Sequence, residues 1–409
     1  MDGEIRNLMV VGVDLVGLAR SAKRAGYRVY AVDYFCDLDL RAVCEECLSV
    51  RRQEIGVSAG GIKSDTDSQA FLRMAKSMSE NHQIDATLIS SGLDDHPDVL
   101  NELNGLAEIV GNHPDAIRRV RRRESFFGEL RRLEIPHPVT SVVHSLEEAE
   151  SSAKDVGFPV VLKPLEGFAG LDVRKAEGPR QLETMLREVE SISGDGVVIQ
   201  EHIPGTPASI SLMASRSGSE ILSINEQLLG LREVHQREPY GYCGNIVPLR
   251  IREPTAGACE HIVEKVSSHF NLRGSNGVDI VIRDDGNPYV IEVNPRFQGT
   301  LECVERYLGA NLVKMHIDAC IHDHLTDIPG MPTGFITRLI LYAQERAVAP
   351  DLTAFEDVRD IPSPGGVIEE GGLICSVITE GRSRLSSFKR SLEKAYSIYG
   401  VLFQTIQRE

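Results

Sequence analysis

The stretch Val278–Arg296, VDIVIRDDGNPYVIEVNPR, constrains this chain more than any other. Val278 to Ile282 is β-branched and apolar apart from one acid, and Asp285-Gly286 is a strong turn signal. Tyr289 to Asn294 reads as the returning strand. Pairing symmetrically about Asp285-Gly286 predicts Ile282 opposite Tyr289 and Asp279 opposite Glu292. Because side chains alternate across a strand, Glu292 and Asn294 share a face, and Asp279 joins them from the neighbouring strand. Two carboxylates and an amide oxygen on one spot are hard ligands of the kind Mg²⁺ takes while it bridges phosphates. Arg296 follows, predicted on the same side, and an arginine over a metal-bound phosphate is apparatus for phosphoryl transfer. A surface hairpin with one polar face is the plain alternative.

Composition narrows the classes. The chain has 409 residues, room for two or three domains. It carries 44 basic and 60 acidic residues, a formal net charge of −16, which argues against nucleic-acid binding through a basic surface. No apolar run approaches a membrane span, and MDGEIRNLMVVG lacks a secretory plan, so a cytoplasmic protein with no membrane partner is expected. The eight cysteines are then expected as reduced thiols. Cys44-Glu-Glu-Cys47 has no second pair at zinc-ribbon spacing, and His316 with Cys320 reads as a mixed helix face rather than a ligand pair.

Taken in order, Leu8–Val13, a helix ended by Gly26, and Tyr27–Val32 ending at Asp33 form a βαβ unit. GVDLVG lacks the middle glycine of a dinucleotide fingerprint. A further strand at Ile84–Ile89 runs into the loop Ser90–Pro97, which holds Gly92 and Asp94 at a strand's carboxyl end. Ile117–Arg132 is a helical stretch with seven arginines. Ser145-Leu-Glu-Glu148 is a capping box opening a helix that closes at Gly157. Phe158–Pro164 is a strand carrying Lys163, followed by a small-residue loop, Leu165–Val173, whose glycines let backbone N–H groups fold over phosphate. Val197–Gly205 is a strand running into Pro204-Gly205. Glu233–Pro248 is read as a loop, Thr255–Phe270 as a helix, and Ser383–Tyr399 as a closing helix.

The order strand-Lys-Pro-glycine loop, then Q-E-H-I-P-G, then Asp279 followed by E-V-N-P-R, flanked by an α/β unit and a β-rich tail (IPSPGGVIEEGGLICSVITEGRS), resembles the ATP-grasp superfamily over nearly the whole chain. That family includes biotin carboxylase, purine-pathway carboxylate ligases and archaeal coenzyme-biosynthesis ligases. The implied fold class is mixed α/β, an ATP-grasp fold in three parts. These are an N-terminal doubly wound domain (1–112), an ATP-grasp domain (113–330, with its lid about 135–205) and a small β-rich domain (331–409), joined at a linker over Pro329–Gly334.

The resemblance also implies roles. Lys163 and Arg123, the latter standing where the family has a lysine, would hold ATP phosphates. Glu166, Gly167 and Gly170 would belong to the loop that closes over them. Glu201, His202 and Ile203 would bind the adenosine, although the acid often found after I-P-G-x is replaced by Pro207-Ala208-Ser209. Asp279, Glu292 and Asn294 would hold Mg²⁺, with Mn²⁺ as the alternative ion. Arg296, with Lys163, would act on the transferred phosphoryl group. Asp33, Gly92, Asp94, His235, Tyr242 and Asn245 are the expected substrate contacts. The expected reaction joins a small-molecule carboxylate to an amine through an acyl phosphate, giving ADP and phosphate, in a chain that could form a homodimer. A bicarbonate-using carboxylase and an ATP-binding regulatory protein without turnover are the other readings.

Overall fold

The computed structural model describes residues 5–58, 60, 67–193, 196–328 and 333–406. The expected linker at 329–334 therefore falls mostly outside the described residues. Near the N-terminus four parallel strands form a sheet in the order β3-β2-β1-β4: β1 (Asn7–Gly12), β2 (Arg28–Asp33), β3 (Glu46–Ser49) and β4 (Ala86–Ile89). The chain steps outward from β1 through β2 to β3, then returns to the other flank of β1 for β4. Strand order thus reverses at β1/β4, and a doubly wound sheet opens its ligand crevice at the carboxyl ends beside such a reversal. Buried Leu8, Val10, Val29 and Leu88 pack one sheet face, and Met9, Val11, Val32 and Ile89 the other, as two-sided burial requires.

A second antiparallel sheet comprises β5 (Thr140–Val143), β6 (Val160–Pro164), β7 (Arg174–Ala176) and β8 (Val197–Glu201), in the order β5-β8-β6-β7. The helix Leu146–Val156 enters it with Ser145 accepting from the Glu148 N–H at 3.2 Å and ends at Gly157, φ +85°. An eight-stranded sheet forms the centre. It is built from β9 (Thr206–Ala214), β10 (Ser219–Leu229), β11 (Tyr242–Val247), β12 (Gly274–Ile282), β13 (Pro288–Asn294) and β14 (Phe335–Tyr342). The two-residue strands β15 (Ala347–Val348) and β17 (Val367–Ile368) pair apart from it, whereas β16 (Val358–Arg359) and β18 (Leu373–Gly381) complete it in the order β13-β12-β9-β10-β11-β14-β18-β16. The tail beyond residue 331 thus adds three strands to the same sheet, and the helix Arg384–Ile406 packs on β14 and β18.

Several local expectations need correction. The segment Glu233–Pro248 is not loop throughout: after one 3₁₀ turn, Arg232–Val234, its second half is β11, where Tyr342 Oη donates to the Tyr242 carbonyl at 2.6 Å. The arginine-rich stretch is two helices, Pro114–Arg121 and Arg123–Arg132, broken at Arg122, whose ψ of 96° is extended. That break turns Arg121 and Arg123 inward and leaves Arg122 in solvent. The cysteines are not all free thiols: Cys36 and Cys47 are joined in a disulfide, while Cys44 stays free. His316 is a core residue: its Nε2 donates to the Val110 carbonyl at 2.8 Å, and its Nδ1 accepts from the Ser275 N–H at 2.8 Å. Burial pushes it down to about 4, so it stays neutral.

Candidate active site

A cavity of about 1000 Å³ is lined by residues of the N-terminal sheet's loops, the β5–β8 sheet and the eight-stranded sheet, and the β12–β13 hairpin forms its floor. The expected pairing at the turn is off by one, since Val281 rather than Ile282 faces Tyr289. The strands are joined by a five-residue connection, Arg283–Asn287, closed by Arg283 N–H to the Asn287 carbonyl at 3.1 Å. A bulge between Asp279 and Ile280 absorbs the difference, so Asp279 still faces Glu292. Asp279 accepts from Gln227 Nε2 at 2.9 Å and from Asn294 Nδ2 at 3.0 Å. Burial, then the facing Glu292 carboxylate, push Asp279 up to about 7. Two carboxylates facing each other across neighbouring strands favour a cation between them. Mg²⁺ fits this donor set, because it needs only one or two carboxylates with the rest from water and phosphate. Among the described residues there is no cluster of three or more His, Cys, Asp and Glu side chains suited to a metal, so a closed all-protein cage of the zinc kind is not built here.

Cations gather on the other side of Glu292. Arg121 ion-pairs with it and grips Asp95 with two bonds of 2.6 Å, Nε to Oδ1 and Nη2 to Oδ2. Arg123 Nη2 stands 3.3 Å from Glu292. Burial works against the Glu292 anion, but Arg121, Arg123 and Lys163 outweigh it and hold the carboxyl well below its usual range. Lys163 lies on β6 with Nζ donating to Gln200 Oε1 at 2.7 Å, a cross-sheet partner from β8. Burial, then Arg123, push it down to about 8. Arg296 stands just past β13, with Nε on Asp94 Oδ2 at 2.7 Å and Nη2 on Asn294 Oδ1 at 3.1 Å.

The glycine loop covers this floor. Glu166, Gly167 and Gly170 line the cavity, and Phe168 packs on the core of the N-terminal sheet. The Tyr242 N–H donates to the Ala169 carbonyl at 2.9 Å, and Arg174 reaches Glu238 at 2.5 Å. Gly170 has φ +70°, and a Cβ there would sit 2.0 Å from the Tyr240 carbonyl oxygen, so only glycine permits this closed arrangement. Glu201, His202 and Ile203 line the adjoining edge. Part of their bonding capacity is spent within the small sheet: Glu201 Oε2 accepts from the Val139 N–H at 3.1 Å and the His202 N–H points to the Pro159 carbonyl at 3.3 Å.

The remaining walls come from the carboxyl ends of the N-terminal strands and from β11. Asp33, Gly92, Asp94, Tyr242 and Asn245 all line the cavity. Asp33 Oδ2 accepts from the N–H groups of Phe35 and Cys36 at 2.9 and 2.8 Å, which shapes its own loop. Tyr242 Oη donates to Asn245 Oδ1. His235 does not join them: it sits at the end of the 3₁₀ turn with its ring edge-on to Tyr399, centroids 4.7 Å apart, outside the cavity lining.

Sequence reasoning passed over four groups that the structure places here: Arg121, Gln200, Gln227 and the trio Arg338, Asp14 and Asp360. Arg121 hid in a run of arginines. Arg338 carried a usable signal, a lone charge inside the apolar strand FITRLILY. It is 6% exposed, holds Asp14 with bonds of 2.8 and 2.9 Å, and reaches Asp360 at 2.9 Å.

This geometry agrees with what the chain is similar to. Residues 124–300 match the family model of the ATP-grasp domain, and the chain has the ATP-grasp fold. The chain is 25% identical over 374 residues to an uncharacterized protein of Methanocaldococcus jannaschii, covering 91% of this chain and 88% of that one. It is 27% identical over 241 residues to the carbamoyl phosphate synthase large chain of Archaeoglobus fulgidus, covering 58% of this chain but only 22% of the relative. Among solved structures, the biotin carboxylase domain dimer of Hydrogenobacter thermophilus 2-oxoglutarate carboxylase, with MgADP and bicarbonate, superposes with a TM-score of 0.75 at 16% identity, over 95% of this chain and 89% of that one. The L-amino acid ligase of Bacillus licheniformis gives 0.71 at 17% identity, over 96% and 98%.

Proposed function

We propose that the protein is an ATP-dependent ligase that activates a substrate carboxylate as an acyl phosphate and joins it to an amine, releasing ADP and phosphate. One observation carries this reading: the Asp279–Glu292 pair, the cations Lys163, Arg123 and Arg121, and a closed glycine loop share a single cavity with space left over. Its volume of about 1000 Å³ lies at the top of the range for one ligand, roughly 300–1,000 Å³.

In this reading Asp279 and Glu292, with Asn294, hold Mg²⁺, which would neutralise phosphate charge. Lys163 and Arg123 hold the phosphates as charged donors, and the Glu166–Gly170 amides close over them. Glu201, His202 and Ile203 face the adenosine. Arg296, steadied by Asp94, meets the γ-phosphoryl group. A carboxylate oxygen attacks the γ-phosphorus as the bond to ADP breaks. An amine nitrogen then attacks the acyl carbon, phosphate departs, and the nitrogen loses a proton. Positioning and charge compensation do most of this work, and the closed loop keeps water from the acyl phosphate.

The test is ADP release with Mg²⁺ and ATP over carboxylates and amines, singly and in pairs. Release that needs both partners supports ligation. Release of AMP, or none with any pair, rejects it. Bicarbonate as the carboxylate is the second reading, favoured by the likeness to the bicarbonate-bound carboxylase domain. Phosphate release that requires bicarbonate would establish it. Assembly as a dimer, as in that same domain, is a further proposal that sedimentation would decide.

A further inference from the structure

The Mg²⁺ and phosphate end occupies only part of the cavity. The other end is lined by Asp14, Asp33, Asp37 and Asp360, with Asp94 alongside. Their placement follows from topology: Asp33 closes β2, Asp14 follows β1, and Asp94 follows β4, so three acids stand at the carboxyl ends of adjacent parallel strands, two of them flanking the reversal of strand order. A crevice at that position is where such sheets bind ligands. Arg338 meets Asp14 and Asp360, which already take its donors, and Arg296 meets Asp94. Among the described residues, Asp33 is held by backbone N–H groups of its own loop. Asp37 is held by one amide, Gln53 Nε2 at 2.8 Å, and Gln53 is itself fixed by the Ser363 N–H at 2.6 Å.

Two further atoms point to a ligand here. Asp94 is 6% exposed, and its Oδ1 has no hydrogen-bond partner among the described residues, although Oδ2 engages Arg296. Ser363 Oγ, beside Gln53 on the cavity wall, is also buried without a partner among the described residues. Buried polar atoms are nearly always bonded, so a partnerless carboxylate oxygen in a cavity wall marks a donor supplied from outside the chain. Burial and mutual repulsion act together here: Asp33 is pushed up to about 6 and Asp360 to about 7, each by burial first. Desolvated carboxylates facing one another are stabilised by a cation between them.

We propose that this acid-lined end of the cavity binds an ammonium or guanidinium group of the amine substrate, and that the acceptor is therefore a diamine, a polyamine or a basic amino acid. This rests on the ligase reading. A nitrogen that attacks an acyl phosphate needs a free lone pair, so the charge recognised here sits on a second nitrogen of the same molecule. Asp37 with Asp33 holds that charge, and Asp94 Oδ1, whose sister oxygen engages Arg296, accepts from the end that reacts.

The test is calorimetry of the full chain with Mg²⁺ and a non-hydrolysable ATP analogue, titrated with putrescine, spermidine, ornithine, alanine and leucine. The cationic compounds are expected to bind at least tenfold more tightly than alanine or leucine. Asp37→Asn should weaken them at least tenfold while leaving analogue affinity unchanged. Gln53→Lys, which places an ammonium beside Asp37, should do the same by competition and serves if Asp37→Asn fails to fold. Equal binding of neutral amines, no binding of any cationic compound, or unchanged cation affinity in a folded variant overturns the proposal. The two readings fail separately: cationic binding without ADP release from any pair removes the ligase reading and leaves the site, whereas ADP release supported by neutral amines alone removes the site and leaves the ligase.

Discussion

Replacing Glu292 with Gln changes one atom and tests the floor of the cavity. Around it, the cations Arg121, Arg123, Lys163 and Arg296 are matched by the carboxylates Glu292, Asp279, Asp95 and Asp94. Gln keeps the shape and still accepts from Arg121, but it leaves the group with one positive charge in excess. Deleting one partner of a buried pair costs roughly 3–5 kcal/mol. Retaining the hydrogen bond should hold the loss to about 1–3 kcal/mol. The fold should therefore survive with a lowered melting temperature. Turnover should fall much further, because a metal ligand is lost and metal ions supply several kcal/mol of charge stabilisation. At about 1.36 kcal/mol per tenfold, a loss of about 2.7 kcal/mol is about 100-fold in kcat. The assay is ADP release at saturating ATP, with circular dichroism and thermal unfolding on the same preparation. Lys163→Ala should behave alike. Wild-type turnover in folded Glu292→Gln would refute the assignment of the acid pair.

Three further outcomes follow from the same geometry. Gly170→Ala puts a Cβ against the Tyr240 carbonyl at a φ of +70°, so the loop cannot close as it does here. Steady-state kinetics should show kcat at least about tenfold lower with normal circular dichroism, since lid closure completes such sites, and an unaltered kcat would show that closure is not needed. Lys163, held at about 8, is cationic below that pH and neutral above it. The KM for ATP should be flat from pH 6.5 to about 8 and then rise, and the rise should vanish in Lys163→Arg. His316, held at about 4 when folded against 6.5 otherwise, takes up its proton first in the unfolded chain. It therefore costs stability progressively as pH falls from about 6.5 to about 4. Thermal melts of His316→Asn should lack that component, and identical pH curves for the two proteins would remove it.

What the sequence revealed was the geometry set by local period. The β12–β13 hairpin, the Ser145 cap, the Gly157 stop and the first βαβ unit all rest on spacings of a few residues. The pairing at the turn was misplaced because Asp285-Gly286 suggested a tight turn where the chain takes a wider connection. The compensating bulge at Asp279/Ile280 is a tertiary adjustment with no local signature. Residues that depend on distant partners were hidden for the same reason. Arg121 is told from its neighbours only by a helix break and by Asp95. Gln200 becomes relevant through a strand 37 positions away. His235 was misplaced because a polar loop offers no clue to which side chains turn inward, and Tyr399, its partner, lies on the last helix. The Cys36–Cys47 link needed the fold of β2 and β3 to bring the two together.

The most direct test of the account follows one oxygen atom. With the carboxylate that supports ADP release prepared carrying ¹⁸O in its carboxyl group, attack on the γ-phosphorus passes one of those oxygens to the phosphoryl group, and departure of phosphate carries it away. Mass spectrometry should find one ¹⁸O in each inorganic phosphate released per amide formed, with none in ADP. Unlabelled phosphate accompanying product would contradict the acyl phosphate and, with it, the role given to this cavity.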